Sequence, residues 1–159
     1  MRPKFIRVIA ICVFYHDEKI LVFEAFDSVK NKPFYRPLGG AVEPGETSQA
    51  AIVREIREEL GFEVVNLRLI GVLENLFTYE GEPSHEIVFV YDGEFVDRSV
   101  YNPPRLKGQE HDGTPISAVW RRVDSFDAYN RLVPEGLPSL LANCASNKGA
   151  APTKSTVCC

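Results

Sequence analysis

The stretch that decides the fold is "GAVEPGETSQAAIVREIREELGF", which runs from Gly40 to Phe62. It predicts a helix from near Thr47 to about Leu60, and Gly61 is expected to end that helix. The last turns of this helix gather three glutamates, although negative charge is least favourable at that end of a helix. The apolar residues that fall within one narrow arc, and so predict a buried stripe, are Val53, Ile56 and Leu60, with Ile52 at its margin.

Glu55, Glu58 and Glu59 share one face of the predicted helix, separate from the apolar stripe. Like charges at these spacings repel each other, and carboxylates near a helix C-terminus oppose the helix dipole. One interpretation is a solvated acidic face. The other is a site for a hard divalent cation, which would neutralise the clustered oxygens. The preceding "RPLGGAVEPGE" favours the cation site, because glycine lets backbone carbonyls approach an ion or a phosphate closely.

The length and composition indicate one ordinary domain of 159 residues with a net charge of −4. This balance lacks the basic surface that binding to a nucleic-acid polymer requires. The four cysteines show no zinc-site spacing and indicate free thiols in a reducing compartment. No apolar run reaches the roughly 18 residues that a membrane span needs. We therefore expect a cytoplasmic protein without a membrane partner.

Alternating or continuous apolar runs predict β-strands at residues 6–14, 20–25, 64–73, 86–96 and 117–123. Loops are predicted at residues 27–40 and 101–115, and short helices at 124–131 and 137–143. Residues 144–159 are small and polar and predict a disordered tail, which leaves a single domain at residues 1–143. This order of elements predicts an α/β fold with a mixed sheet and helices packed on its faces.

Residues 40–62 resemble a complete Nudix box, which consists of Gly, five residues, Glu, seven residues and then Arg-Glu-apolar-X-Glu-Glu-X-Gly-apolar. Every defined position is filled, by Gly40, Glu46, Arg54, Glu55, Ile56, Glu58, Glu59, Gly61 and Phe62. The flanking strands, "RPLGG" and the later "VWRRVDSF" are also similar to that family. The resemblance implies the Nudix α/β/α sandwich around a mixed β-sheet.

The resemblance further implies hydrolysis of a pyrophosphate bond in a nucleoside diphosphate linked to another group, such as a nucleoside triphosphate or a dinucleoside polyphosphate. Water activated by Mg²⁺ or Mn²⁺ would attack, with more than one ion present when substrate is bound. The ligands carried over by position are Glu55, Glu58 and Glu59, joined by a backbone carbonyl of Gly39 or Gly40. Arg54 is expected to orient Glu55 or to brace the loop through Glu46. Homodimers are frequent in the family, although the sequence itself indicates no interface.

The resemblance leaves the general base open. Within the box it could be Glu58 or Glu59, and outside the box the acids that could serve are Glu86 and Glu110, with Asp112 behind them. Arg36 is expected to pair with a phosphate, and Tyr79 to contact the substrate. The aromatic residues that would either stack on a base or belong to the core are Phe34, Tyr35, Phe77 and Tyr79.

Two positions bear on the substrate by analogy with the family. Tyr79 lies about 17 residues past the box, where dinucleoside polyphosphate hydrolases of the family have a tyrosine. Position 77 is Phe, where ADP-ribose hydrolases of the family have proline. Two other function classes also remain open: a catalytically silent Nudix-fold sensor or regulatory module that binds a nucleotide, and an isomerase acting on a prenyl diphosphate.

Overall fold

A computed structural model of the protein describes residues 5–148. Its strands and helices are β1 (Arg7–His16), β2 (Lys19–Asp27), β3 (Lys32–Ala41), α1 (Ser48–Leu60), β4 (Val64–Tyr79), β5 (Glu82–Phe95), β6 (Arg105–Gln109), β7 (Pro115–Arg122), β8 (Arg131–Leu132) and α2 (Leu137–Lys148). Two short 3₁₀ turns lie at Arg98–Tyr101 and Val123–Ser125. Within the described residues, neither helix is both long and apolar enough to cross a membrane.

The strands form one mixed sheet in the order β4-β5-β1-β3-β2-β7-β6, and β8 pairs with β3. The β1–β5 and β3–β8 pairs are parallel, whereas the other pairs are antiparallel. β3 changes neighbours along its length: its first half pairs with β2 and its last residues pair with β1. After α1 the chain adds β4 and β5 to one edge of the sheet and β6 and β7 to the other, so β1 and β3 lie at its centre.

β1 is buried from both sides because helices cover opposite faces of the sheet. Its residues Ala10 and Cys12 pack with Ile52 and Ile56 of α1. The alternate residues of β1 pack with Leu137 and Leu141 of α2, namely Ile9, Ile11 and Val13. Successive side chains of a strand point to opposite faces, so one apolar strand supplies both cores. The predicted α/β/α sandwich around a mixed sheet is confirmed.

α1 begins and ends where the sequence predicts. The Thr47 side chain accepts a hydrogen bond from the Ala50 N–H at 3.1 Å, and Gly61 ends the helix with a left-handed φ of 76°. The buried stripe is rotated from the predicted one. Ile52 is fully buried together with Ala51 and Ile56, whereas the predicted Val53 and Leu60 are only partly buried. The stripe is centred on Ile52 because that side of the helix packs on β1 and on Leu106 of β6.

Three local predictions are wrong. The predicted loop at residues 27–40 contains β3, and the one at 101–115 contains a 3₁₀ turn and β6. The predicted helix at residues 124–131 is instead a 3₁₀ turn followed by an irregular segment and β8. Pairing with distant strands overrides the local glycine and proline content in the two loops. α2 continues to Lys148, so the first residues of the predicted tail are helical, and residues 149–159 lie outside the described residues.

Candidate active site

Two glycines at the end of β3 bring α1 close to the sheet. Gly39 has a φ of 137°, and a Cβ there would lie 2.1 Å from the Ala10 carbonyl oxygen. At Gly40 a Cβ would lie 2.5 Å from the Glu55 carboxylate carbon. Only glycine fits such close approaches of a backbone to its neighbours. The pair therefore lets the Glu55 carboxylate lie directly against the backbone of β3.

Arg54 ties the loop before α1 to the helix and to β3. Its Nε and Nη2 atoms donate to the two Glu46 carboxylate oxygens at 2.7 and 2.9 Å, and Nη2 also donates to the Ala41 carbonyl at 3.0 Å. Its Nη1 atom donates to Glu55 at 3.0 Å and to Glu58 at 3.3 Å. The hydrogen bonds from Arg54 lower the pKa of the Glu46 carboxyl to about 2. Both roles predicted for Arg54, toward Glu46 and toward Glu55, thus correspond to contacts in the structure.

Glu59 is the buried member of the three glutamates. Its residue surface is 7% exposed, and its Oε2 atom is buried with no hydrogen-bond partner among residues 5–148. Burial, together with the negative charges of Glu110 and Glu55 and against the opposing charge of Arg36, raises the pKa of this carboxyl to about 8. A buried carboxylate oxygen without a donor costs free energy, so this atom is suited to a positively charged ligand.

β6 brings Glu110 to this cluster. A Cβ at Gly108 would lie 2.3 Å from the Glu59 carbonyl oxygen, so β6 packs directly on the end of α1. Glu110 follows β6 in a tight turn, where its N–H donates to the Thr114 carbonyl at 2.8 Å. Asp112 instead turns back on this loop and accepts from the Thr114 N–H at 2.9 Å. The glycine at position 108 is the sequence feature that could have indicated this close packing, although residues 101–115 are predicted as a loop.

The donor set fits Mg²⁺ or Mn²⁺. All of its side-chain donors are hard carboxylate oxygens, and one of them, on Glu59, is buried without a partner. Within residues 5–148 no three acidic, histidine or cysteine groups are arranged to enclose an ion by themselves. Mg²⁺ usually takes only one or two carboxylates and completes its shell with water and substrate phosphates, so such an enclosure is not required.

A cavity of about 410 Å³ opens beside the cluster. Arg36 and Glu110 line it, and both act electrostatically on Glu59, so these two residues connect the cavity to the cluster, although Glu59 itself does not line the cavity. Arg36 also donates to the Gly39 carbonyl at 3.4 Å. The aromatic residues that line the cavity are Phe34, Phe77 and Tyr79, with the Phe34 and Tyr79 ring centroids 5.7 Å apart. Tyr35 belongs to the core instead.

Glu86 also lines the cavity, but the structure does not bring it to the cluster. It pairs with Arg7 of β1, whereas Gly40 pairs with Ala10 three residues farther along β1 and on its other side. At about 3.3 Å per residue and 4.8 Å per strand, Gly40 and Glu86 are roughly 14 Å apart. The position of Glu86 therefore does not support the general-base role that the sequence predicted for it.

Comparison with known proteins agrees with this geometry. The family model described as the NUDIX domain matches residues 4–141. The chain belongs to the Nudix family. This membership confirms the predicted family.

Solved structures show the same fold. A NUDIX hydrolase from Nitrosomonas europaea superposes with a TM-score of 0.62 at 20% identity, over 91% of each chain. A MutT NUDIX hydrolase from Burkholderia pseudomallei gives a TM-score of 0.60 at 20% identity, over 87% of this chain and 98% of that one. Among curated relatives, an NAD-capped RNA hydrolase NudC from Pseudomonas aeruginosa is 54% identical over 37 residues. This match covers 23% of this chain and only 13% of that relative.

Proposed function

We propose that this Nudix protein is a metal-dependent hydrolase that cleaves a pyrophosphate bond in a nucleoside diphosphate linked to another group. The observation that carries the proposal is the buried, unpartnered carboxylate oxygen of Glu59, which lies among like charges beside an open cavity. Mg²⁺ or Mn²⁺ would be held by Glu55, Glu58 and Glu59, with a backbone carbonyl of Gly39 or Gly40 as a further ligand. The bound ions supply positive charge to phosphate oxygens and make water more acidic.

The chain's own residues then divide the remaining work. Arg54 holds the Glu55 and Glu58 carboxylates in place and is itself held by Glu46. Arg36 lines the cavity beside the cluster and is positioned to pair with a phosphate. We assign the general base to Glu110, because it is the carboxylate outside the box whose charge acts most strongly on Glu59. Glu58 is less suited to this role because its carboxylate accepts a hydrogen bond from Arg54.

The test is a product-resolved hydrolysis screen at mildly alkaline pH with Mg²⁺ and with Mn²⁺. The substrates are nucleoside triphosphates, dinucleoside polyphosphates, nucleotide sugars and ADP-ribose. We expect turnover that disappears when a chelator is added. The rate should be at least about 100-fold lower in Glu59→Gln, and kcat should be about 100-fold lower in Glu110→Gln.

The matched control is Glu63→Gln, which removes an exposed carboxylate just beyond the box that pairs only with Arg57. It should retain the wild-type rate. Wild-type turnover in Glu59→Gln would refute the proposed metal site. Nucleotide binding without turnover under either metal would instead indicate the sensor, although no observation in the structure favours it.

The comparisons do not narrow the substrate. The match to NAD-capped RNA hydrolases spans too little of either protein to carry their substrate over to this chain. Phe77 and Tyr79 line the cavity, which is compatible with the substrate contact predicted for Tyr79. The cytoplasmic location, the homodimer and the absence of a nucleic-acid partner stay predictions.

A further inference from the structure

The Glu86 carboxylate is a buried charge that the proposed chemistry does not use. Its side chain is 8% exposed and lies 3.5 Å from Nη2 of Arg7, the one ion pair it makes within the described part of the chain. None of the hydrogen bonds among residues 5–148 reaches this carboxylate, although it lines the cavity. Buried carboxylates normally accept several hydrogen bonds, because an unfilled acceptor costs free energy. Glu86 thus keeps acceptor capacity for a ligand in the cavity.

Two further polar residues lie at the same level of the sheet. Glu86 of β5 pairs with Asn75 of β4 on one side and with Arg7 of β1 on the other. Directly opposed residues of neighbouring strands project to the same face of a sheet, and all three residues line the cavity. We name Arg7, Glu86 and Asn75 the polar row. It presents a carboxylate that only accepts hydrogen bonds, a guanidinium that only donates them, and an amide that does both.

The surroundings of the polar row favour a flat, apolar ring. Phe34, Phe77 and Tyr79 line the same cavity, and aromatic faces are suited to stacking on a heterocycle. Glu86, the middle residue of the row, lies roughly 14 Å from Gly40, by the strand spacings used above. A nucleotide whose phosphates lie at the carboxylate cluster would bring the far edge of its base near the row, whereas its ribose hydroxyls would lie closer to the cluster.

We propose that the polar row selects substrates with an amino-bearing nucleobase, an inference that rests on the proposed function. The exocyclic amino group donates to Glu86, and the adjacent ring acceptor receives a hydrogen bond from Arg7 or Asn75. A base with a carbonyl at the amino position places two acceptors against each other and itself supplies no donor to the buried Glu86 carboxylate. A site built around such a hydrogen bond rejects the analogue that lacks it far more strongly than an apolar pocket does.

The experiment compares nucleotides that differ at the amino group. The pairs are cytidine with uridine, guanosine with inosine, and adenosine with inosine, each as the triphosphate for kcat/KM. The same pairs as α,β-methylene analogues, which resist hydrolysis at that bond, give Kd directly. We expect the wild-type protein to prefer the amino-bearing member of at least one pair by about 10-fold or more, through KM and Kd. In Glu86→Gln the preference for the amino-bearing member of that pair should fall below about 3-fold. The kcat on the disfavoured base should stay within about 3-fold of the wild-type value.

Two further variants separate recognition from folding. Asn75→Ala removes a less buried member of the polar row and should also reduce this preference. Glu74→Gln is the matched control, because Glu74 neighbours Asn75 but points away from the cavity, is 64% exposed and contacts His85. It should leave the preference unchanged. Far-ultraviolet circular dichroism and melting temperatures identify any variant that has lost the fold.

Equal kcat/KM and Kd values within every pair would overturn the inference. A uniform fall in kcat on all substrates in Glu86→Gln would also overturn it, because it would indicate that Glu86 is a catalytic base. The two proposals fail separately. Hydrolysis without a preference between the members of any pair would contradict the inference and leave the proposed function intact. Selective binding of the analogues without hydrolysis of any substrate would support the polar row and refute the proposed function.

Discussion

Gly39 marks the closest approach between β3 and β1. Its φ of 137° is unfavourable for other residue types, and a Cβ would meet the Ala10 carbonyl oxygen at 2.1 Å. We therefore expect Gly39→Ala to lower the free energy of unfolding by more than about 3 kcal/mol, because strain and overpacking act together. Urea denaturation provides the measurement.

The control for this prediction is Gly81→Ala in the β4–β5 turn. Gly81 also has a positive φ, of 79°, but nothing lies within 4 Å of its Cβ position. Its substitution should cost only about 1–2 kcal/mol, which is the backbone penalty alone. Losses of the same size in the two variants would show that the contact with Ala10 contributes nothing.

The sequence identified which glutamates share a face, but not how their surroundings differ. The spacing of Glu55, Glu58 and Glu59 follows from helix geometry, which is local. Their environments differ because Arg54, one turn away on the same helix, binds Glu58, whereas β6, which is distant in sequence, covers Glu59. Glu59 therefore becomes a buried carboxyl, and its pKa is raised to about 8. No local pattern could have distinguished it from its neighbours.

At the level of elements, the Glu46–Arg54 pair fastens the loop before α1 to the helix. Both Glu46 oxygens accept from Arg54, and the Glu46 side chain is 15% exposed. We expect Glu46→Gln to lower the free energy of unfolding at pH 7 by about 1.5–3 kcal/mol. Glu63→Gln is a matched control, since Glu63 binds Arg57 in the same two-point geometry but with both side chains more than half exposed. That change should cost less than about 1 kcal/mol.

The difference in the free energy of unfolding between the wild type and Glu46→Gln should depend on pH in a defined direction. The pKa of Glu46 is lowered from 4.5 to about 2 in the folded protein, so the unfolded chain binds the proton first as the pH falls. The stabilisation is fully present above about pH 4.5 and is lost as the pH falls toward about 2. Denaturation of wild type and Glu46→Gln across pH 3–8 should show two curves that converge on the acid side. Parallel curves would contradict the assigned contact.

Elements were predictable where local chemistry decides them. Thr47 and Gly61 fix the ends of α1 through contacts within a few residues. β3 was taken for a loop because Pro33, Pro37 and two glycines lie within it. Proline is disfavoured within paired strands, but the half of β3 that holds both prolines pairs with β2, and β1 pairs only with its final residues. Whether these residues form a strand or a loop therefore depends on partner strands that are distant in the chain.

At the scale of the whole molecule, the cavity arises from sheet topology. Arg7, Asn75 and Glu86 come from three strands and become neighbours only through the parallel β1–β5 pairing and the β4–β5 hairpin. A motif search cannot find such a row, because nothing in the spacing of these residues relates them. The Nudix box predicted the chemistry at one end of the cavity, while the other end required the strand register.

The carboxylate cluster should make the folded molecule less stable without a divalent ion and more stable with one. Glu59 places a buried charge among like charges, so Glu59→Gln should raise the free energy of unfolding in chelator at pH 8 by about 1–3 kcal/mol. Mg²⁺ or Mn²⁺ at 100 times its Kd should stabilise the wild type by about 2.7 kcal/mol. In Glu59→Gln we expect little stabilisation, because the site has lost a ligand.

Melting curves in chelator and in a Mn²⁺ titration measure both effects on one protein preparation, with Glu63→Gln expected to follow the wild type throughout. The variant should therefore be more stable than the wild type in chelator, and this advantage should narrow or reverse as the ion saturates the wild type. Equal gains from Mn²⁺ in wild type and Glu59→Gln would place the ion elsewhere. A variant less stable in chelator would mean that the cluster is not strained, and Glu59 would then contribute to packing rather than to metal binding.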